Sequence, residues 1–248
     1  MTSYKRLGIF WGMGVGMCIL RFMQLTTEFD PSTLLYTRGV AGTALAVLVV
    51  VSLVIAFVLS RSGGKDRPLF AECFASPDRS TTALVVAAFL FAAGGVLIGM
   101  DSLGADMRIA GLVTAAFALL SCLSLLVLTR KMRGEGARSV VMTLPFLFFA
   151  AFWVLTLYLP AASDPVLARY YLPILAASVS AYALAQLAGF FRKETSVRTF
   201  RFVASYAVTL CIASIAELNA HSVLFAASAL MLSVFLALEG KPSNEDSQ

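Results

Sequence analysis

The sequence predicts an all-α integral membrane protein, an eight-transmembrane-helix bundle with both termini cytoplasmic and short loops. Three observations carry this prediction. First, hydrophobic residues make up 59% of the 248-residue chain and charged residues 13%, with a mean hydropathy of +0.86, whereas a soluble domain carries about 25% charged residues. Second, the apolar residues fall in runs of about 17 to 27, long enough to cross a hydrocarbon core of about 30 Å at about 1.5 Å per helical residue. Third, the charges are concentrated between those runs. A segment in lipid must satisfy its own backbone hydrogen bonds, so each run reads as a helix.

Taken in order, the spans are expected at about 7–24, 34–60, 82–100, 107–129, 139–159, 166–191, 200–218 and 222–238. The first has the basic start of a signal peptide, but Arg21 and Gln24 follow it without a small-residue cleavage site, so it reads as a retained span. Alternate loops hold Lys5 and Arg6; Arg61, Lys65, Arg67 and Arg79; Arg130, Lys131, Arg133 and Arg138; Arg192, Lys193, Arg198 and Arg201; and Lys241. These are 15 of the 19 basic residues, which by the positive-inside rule places that side in the cytoplasm. The net charge of +5 follows from these loops, where Lys and Arg meet anionic headgroups, and calls for no nucleic-acid partner. The longest loop, 61–81, has a turn at Ser62-Gly63-Gly64 and a segment, 68–75, expected to lie on the interface.

Residues 1–238 read as one membrane domain and 239–248 as a disordered cytoplasmic tail. A 4+4 pseudo-repeat, 1–133 and 134–238, is suggested by Asp30-Pro31 and Asp164-Pro165, each followed by an arginine (Arg38, Arg169) and a long span. Asp-Pro is equally a plain helix start, Asp as N-cap and Pro at N1.

The loops leave no room for a soluble catalytic or nucleotide-binding domain, and no phosphate-cradling glycine motif is present. Cys18, Cys122 and Cys211 fall in spans and Cys73 in a loop, with no pairing or metal-ligand spacing, and there is a single histidine, His221. No catalytic residue, metal or cofactor is therefore expected, and an intramembrane enzyme is disfavoured. His221 sits with Glu217 and Asn219 in the tight last turn, where it reads as a solvated loop residue or a pH sensor.

Two constellations are left. Gly8, Gly12 and Gly16 lie on one stripe of the first span, with Gly95 and Gly99 at the same spacing in the third. Such stripes let helix backbones approach closely, either within the bundle or against a second copy or second membrane subunit. On the outer side gather Arg21, Gln24, Asp30, Arg38, Asp106, Arg108, Asp164, Arg169 and Glu217. Charges near membrane depth are costly and face partners or water. They either clamp helical hairpins as interfacial ion pairs or line a vestibule that recognises a carboxylate or phosphate.

The run LRFMQLTTEFDPSTLLYTRG, about 20 positions, resembles the corresponding turn of uncharacterised multi-span membrane proteins of anaerobic Gram-positive bacteria through Arg21, Gln24, Asp30 and Thr33, with Leu34-Leu35 in place of their Gly-Phe. The resemblance implies a multi-pass protein of a bacterial plasma (inner) membrane and attaches no activity. The expected function is a transporter or solute-binding membrane subunit with its polar site in the outer half. The alternative is a non-catalytic assembly subunit docking through the glycine face.

Overall fold

A computed structural model describes residues 3–30, 36–37, 39–62, 67–74, 78–104, 108–132, 140–163 and 169–239. The chain forms α1 (Ser3–Thr27), α2 (Val40–Ser60), a one-turn α3 (Phe70–Cys73), α4 (Asp78–Leu103), α5 (Arg108–Met132), α6 (Leu144–Ser163), α7 (Tyr171–Gly189), α8 (Val197–Ser214) and α9 (Ala220–Leu238). All but α3 are long and apolar enough to span a membrane, which makes eight candidate spans among the described residues. The protein is an all-α eight-span bundle.

The helices are not equivalent. The last two occupy the centre: α8 packs against α1, α2, α7 and α9, and α4 against α5 and α9. In α8, every residue from Val203 to Ser214 is buried, and α9 is nearly as enclosed. By contrast α2 is almost wholly apolar but mostly faces outward. In lipid, apolarity does not mark the inward face, because lipid tails are as apolar as leucine.

Two sequence expectations change here. The second span begins at Val40, with Gly39 as N-cap, rather than at the expected 34. Its first turn is served by Glu28, whose carboxylate accepts the Gly42 N–H at 3.1 and 3.0 Å through its two oxygens. A carboxylate on the free N–H groups of a helix start is favoured by both hydrogen bonding and the helix dipole. The chain reaches that point through a small bridge in which Phe29 pairs with Tyr36 and Thr37 N–H donates to Glu28 O at 2.8 Å.

The 68–75 segment also departs from its expected place. Its described part does not lie flat on the surface. Phe70 and Phe74 are each 1% exposed. Phe70 stacks on Phe191 at 4.4 Å between centroids, and Phe74 meets Phe190, Phe200 and Phe235 at 5.2, 5.7 and 5.3 Å. The α2–α4 connection thus pushes an aromatic plug into the end of the bundle that carries the chain termini. Glu72 closes the single turn by accepting from Leu69 N–H at 2.7 Å.

Candidate functional site at the far end

At the opposite end, the close of α1 meets the starts of α2 and α7 and the close of α8. Arg21 is the organising residue. It lies on the buried stripe of α1, Phe10, Gly14, Met17, Arg21 and Gln24, and is 0% exposed. Its Nε donates to Glu217 Oε1 at 2.9 Å and its Nη2 to the same oxygen at 2.5 Å. Nη1 donates to Gln24 Oε1 at 2.8 Å, and Nη2 also reaches the Arg169 carbonyl. The guanidinium lies over the Tyr171 ring, 5.6 Å from its centroid. This pattern commits Arg21 as a clamp across α1, α7 and α8. It is not available to a ligand.

Gln24 and Glu28 continue the stripe towards α2. A methyl group built on Gly42 would run into Tyr36 Oη and would lie 2.7 Å from both Gln24 Nε2 and Glu28 Oε2. Glycine here is what lets α2 press its first turn against these polar groups.

Glu217 is held by the turn that follows α8. Leu218 takes a left-handed conformation (φ 49°) and is exposed, an unfavourable state for a bulky side chain. Asn219 then caps α9: its Oδ1 accepts from Ser222 N–H at 3.2 Å while Ser222 Oγ accepts from Asn219 N–H at 3.1 Å. The outcome is that Glu217 points back to Arg21 through Oε1 while its Oε2 has no hydrogen bond among the described residues.

Two cavities open on either side of Glu217 and Arg169. One, about 280 Å³, runs between α6, α7 and α9 and is lined by Thr156, Pro160, Arg169, Asn219, His221 and Phe225, among others. The second, also about 280 Å³, lies towards α1 beside Phe22, Thr26 and Phe29. The Arg169 side chain is exposed and its guanidinium has no partner among the described residues. Of the residues lining the first cavity, His221 also accepts at Nδ1 from the Trp153 Nε1–H at 3.3 Å. That contact assigns the neutral imidazole proton to Nε2. His221 is therefore half-buried against Trp153, not a solvated loop residue.

The structure brings together Arg21, Gln24, Arg169 and Glu217 from the predicted cluster. Arg38, Asp106 and Asp164 lie outside the described residues. Arg108 is the first residue of α5, and Asp30 follows the Phe29 bridge. Glu28, Tyr36, Tyr171 and His221, outside the predicted cluster, complete the region.

Of the small-residue positions, Gly95 sits against Ala115 and Ala118 and Gly99 against Ala115, so both serve α4–α5 packing. Gly8, Gly12 and Gly16 do not pack inside the bundle: a methyl group built on any of them meets nothing within 4 Å. The close approach on α1 belongs to Gly14, whose added methyl would lie 2.9 Å from Ile212 Cβ on α8. The inward stripe was marked by its polar members, since Arg21 and Gln24 share the side of Gly14.

The chain matches no family model, no curated protein and no solved structure. Among the described residues no group of His, Cys, Asp or Glu could hold a metal ion.

Proposed function

We propose that this polytopic membrane protein is a transporter or solute-binding membrane subunit whose site is the far-end cavity between α6, α7 and α9. One observation carries the reading: two residues of opposite charge with unused hydrogen-bonding capacity among the described residues, Arg169 and Glu217, line the same cavity as His221 and Asn219. An arginine fork suits a carboxylate, and a carboxylate oxygen beside it suits an ammonium group. The apolar wall of Leu157, Pro173, Ile174 and Phe225 adds room for a small side chain. A small carboxylate-bearing or zwitterionic solute fits this chemistry. Arg21 supports the site by fixing Glu217.

The test is a thermal-shift panel of small carboxylates and amino acids on purified protein, followed by Arg169→Gln. The reading expects at least one solute to stabilise the protein and the variant to weaken its binding tenfold or more. It fails if no solute binds saturably or if Arg169→Gln binds as well as the parent.

A second reading, an assembly subunit, is favoured by the empty space over Gly8, Gly12 and Gly16. Its partner would be a transmembrane helix of a second copy or another subunit. Mass measurement in mild detergent decides: Gly12→Leu should dissociate such a complex, and a monomeric parent sinks this alternative.

A further inference from the structure

The terminal end of the bundle holds a second ion pair and, beside it, a cation without a full set of partners. Arg201 near the start of α8 binds Glu239 at the close of α9, with Nη2 to Oε1 at 2.5 Å and Nε to Oε1 at 3.0 Å. The Glu239 side chain is 2% exposed and that of Arg201 12%. Arg6 of α1 faces the same small cleft, which is lined also by Ser3, Ser60, Ser205, Leu7 and Leu236. Its Nη2 makes a long contact of 3.4 Å to Ser3 Oγ. Its Nε and Nη1 are buried and have no hydrogen-bond partner among the described residues.

A buried guanidinium donor left without an acceptor is costly, more so because the group is charged, so such atoms mark a missing acceptor. An anionic acceptor answers the charge as well as the hydrogen bonds, because two arginines face one carboxylate and Glu239 is already engaged by Arg201. It must also be small where it enters. The cleft offers about 20 Å³, room for roughly one water-sized group, so the ligand inserts a single oxygen and leaves the rest outside. A tetrahedral phosphate does this readily, and its oxygens match the donors of a guanidinium. The location agrees: the cleft joins the ends of four spans, and Lys5, Arg61 and Arg198 lie close to it in sequence. Basic clefts between helix ends on the cytoplasmic side are where acidic headgroups bind.

We propose that the cleft between α1, α2, α8 and α9 is a phosphate-oxyanion site, centred on Arg6 and supported by Arg201, which takes the phosphate of an acidic phospholipid or free inorganic phosphate. The site is separate from the far-end cavity and does not depend on its reading.

The experiment uses the full chain in a neutral detergent, with native mass spectrometry and thermal unfolding as readouts. Phosphatidylglycerol, phosphatidylcholine and inorganic phosphate are titrated against the parent, Arg6→Gln and, as a control for diffuse charge, Lys5→Gln. Saturable binding of phosphatidylglycerol over phosphatidylcholine is expected, at least tenfold weaker in Arg6→Gln and less than threefold weaker in Lys5→Gln. Saturation by phosphatidylglycerol alone identifies a headgroup site, and saturation by inorganic phosphate as well identifies a free-anion site; both support the proposal. Without added ligand Arg6→Gln should unfold no earlier than the parent, since it removes a poorly satisfied charge. Equal losses in the two variants, undiminished binding by Arg6→Gln, or no saturable binding of either phosphate source by the parent would overturn it, leaving water as the occupant.

Discussion

The two ends of the bundle each bury an arginine–glutamate pair that grips α8, yet they solve the problem of charge differently. At the far end Arg21 donates to Glu217, Gln24 and the Arg169 carbonyl, and its partner Glu217 lies open to cavities on two sides. At the terminal end the carboxylate is the enclosed member and the cations are the surplus, with Arg6 only partly satisfied. The space around the pairs differs as well: polar cavities surround the first, and a phenylalanine plug seals the region near the second. A buried pair is thus no single device. Where the cation is saturated it acts as a clamp, and where donors are left over it creates demand for an anion.

The largest effect should come from leaving Arg21 without its counter-charge. Glu217→Gln is expected to destabilise the protein by about 3–5 kcal/mol, the range for an uncompensated buried charge. Arg21→Gln should cost visibly less, because the Glu217 left behind can be hydrated from the cavities. Unfolding in mixed micelles checks the order of the two variants, and equal losses would erase the distinction between the ends.

Gly42→Ala comes next. Its methyl group would crowd Tyr36, Gln24 and Glu28, and overpacking of this kind costs about 1–3 kcal/mol. The same unfolding assay reports it, with Gly12→Ala as a control expected to stay within about 0.5 kcal/mol in the monomer.

At the terminal end the signature is pH dependence. Burial raises the Glu239 carboxyl above its ordinary value of 4.5, against the opposing pull of Arg201 and Arg6. The folded protein therefore holds that proton more tightly than the unfolded chain. Its contribution to stability is complete below about 4.5 and is lost as pH rises through the folded-state value. Glu239→Gln should flatten this part of the stability–pH curve, and an unchanged slope would show that the carboxylate is not enclosed.

The smallest effect concerns the plug. Burial, with the nearby Glu239 and Glu72 carboxylates, pushes the Cys73 thiol up to about 12, so hardly any thiolate exists at neutral pH. Maleimide labelling should be slow in the native protein and speed up at least tenfold in Phe74→Ala. Fast labelling of the parent would mean the plug stands open.

Much of this contrast was legible in the sequence in outline and little in detail. Span number follows from run length, and Arg21 and Glu217 were placed on one side by counting spans. Their pairing was not, because it joins positions 196 apart and four arginines competed for the same acids. The plug left no periodic trace, since a helix of four residues has no face to repeat. Nothing near Glu28 announced its role at the start of α2, because that start lies at Val40, beyond the expected 34, and the Gly42 N–H it accepts is 14 residues on. The glycine stripe did not mark the side of α1 that packs in the bundle for a related reason: small residues show where a helix could be approached, and here Arg21 and Gln24 mark the side that meets α8.

The central position of α8 and α9 has a consequence for how the protein is made. Arg21 is synthesised 196 residues ahead of Glu217. At about 5–20 residues per second the interval is about 10–40 s. Throughout it α1 has neither its main packing partner nor the Glu217 carboxylate, and Gln24, three residues on, is the acceptor already at hand for the guanidinium. Helices emerging early must be held loosely, at the insertion machinery or at the bilayer surface, until the final hairpin slides between them and closes the bundle from within.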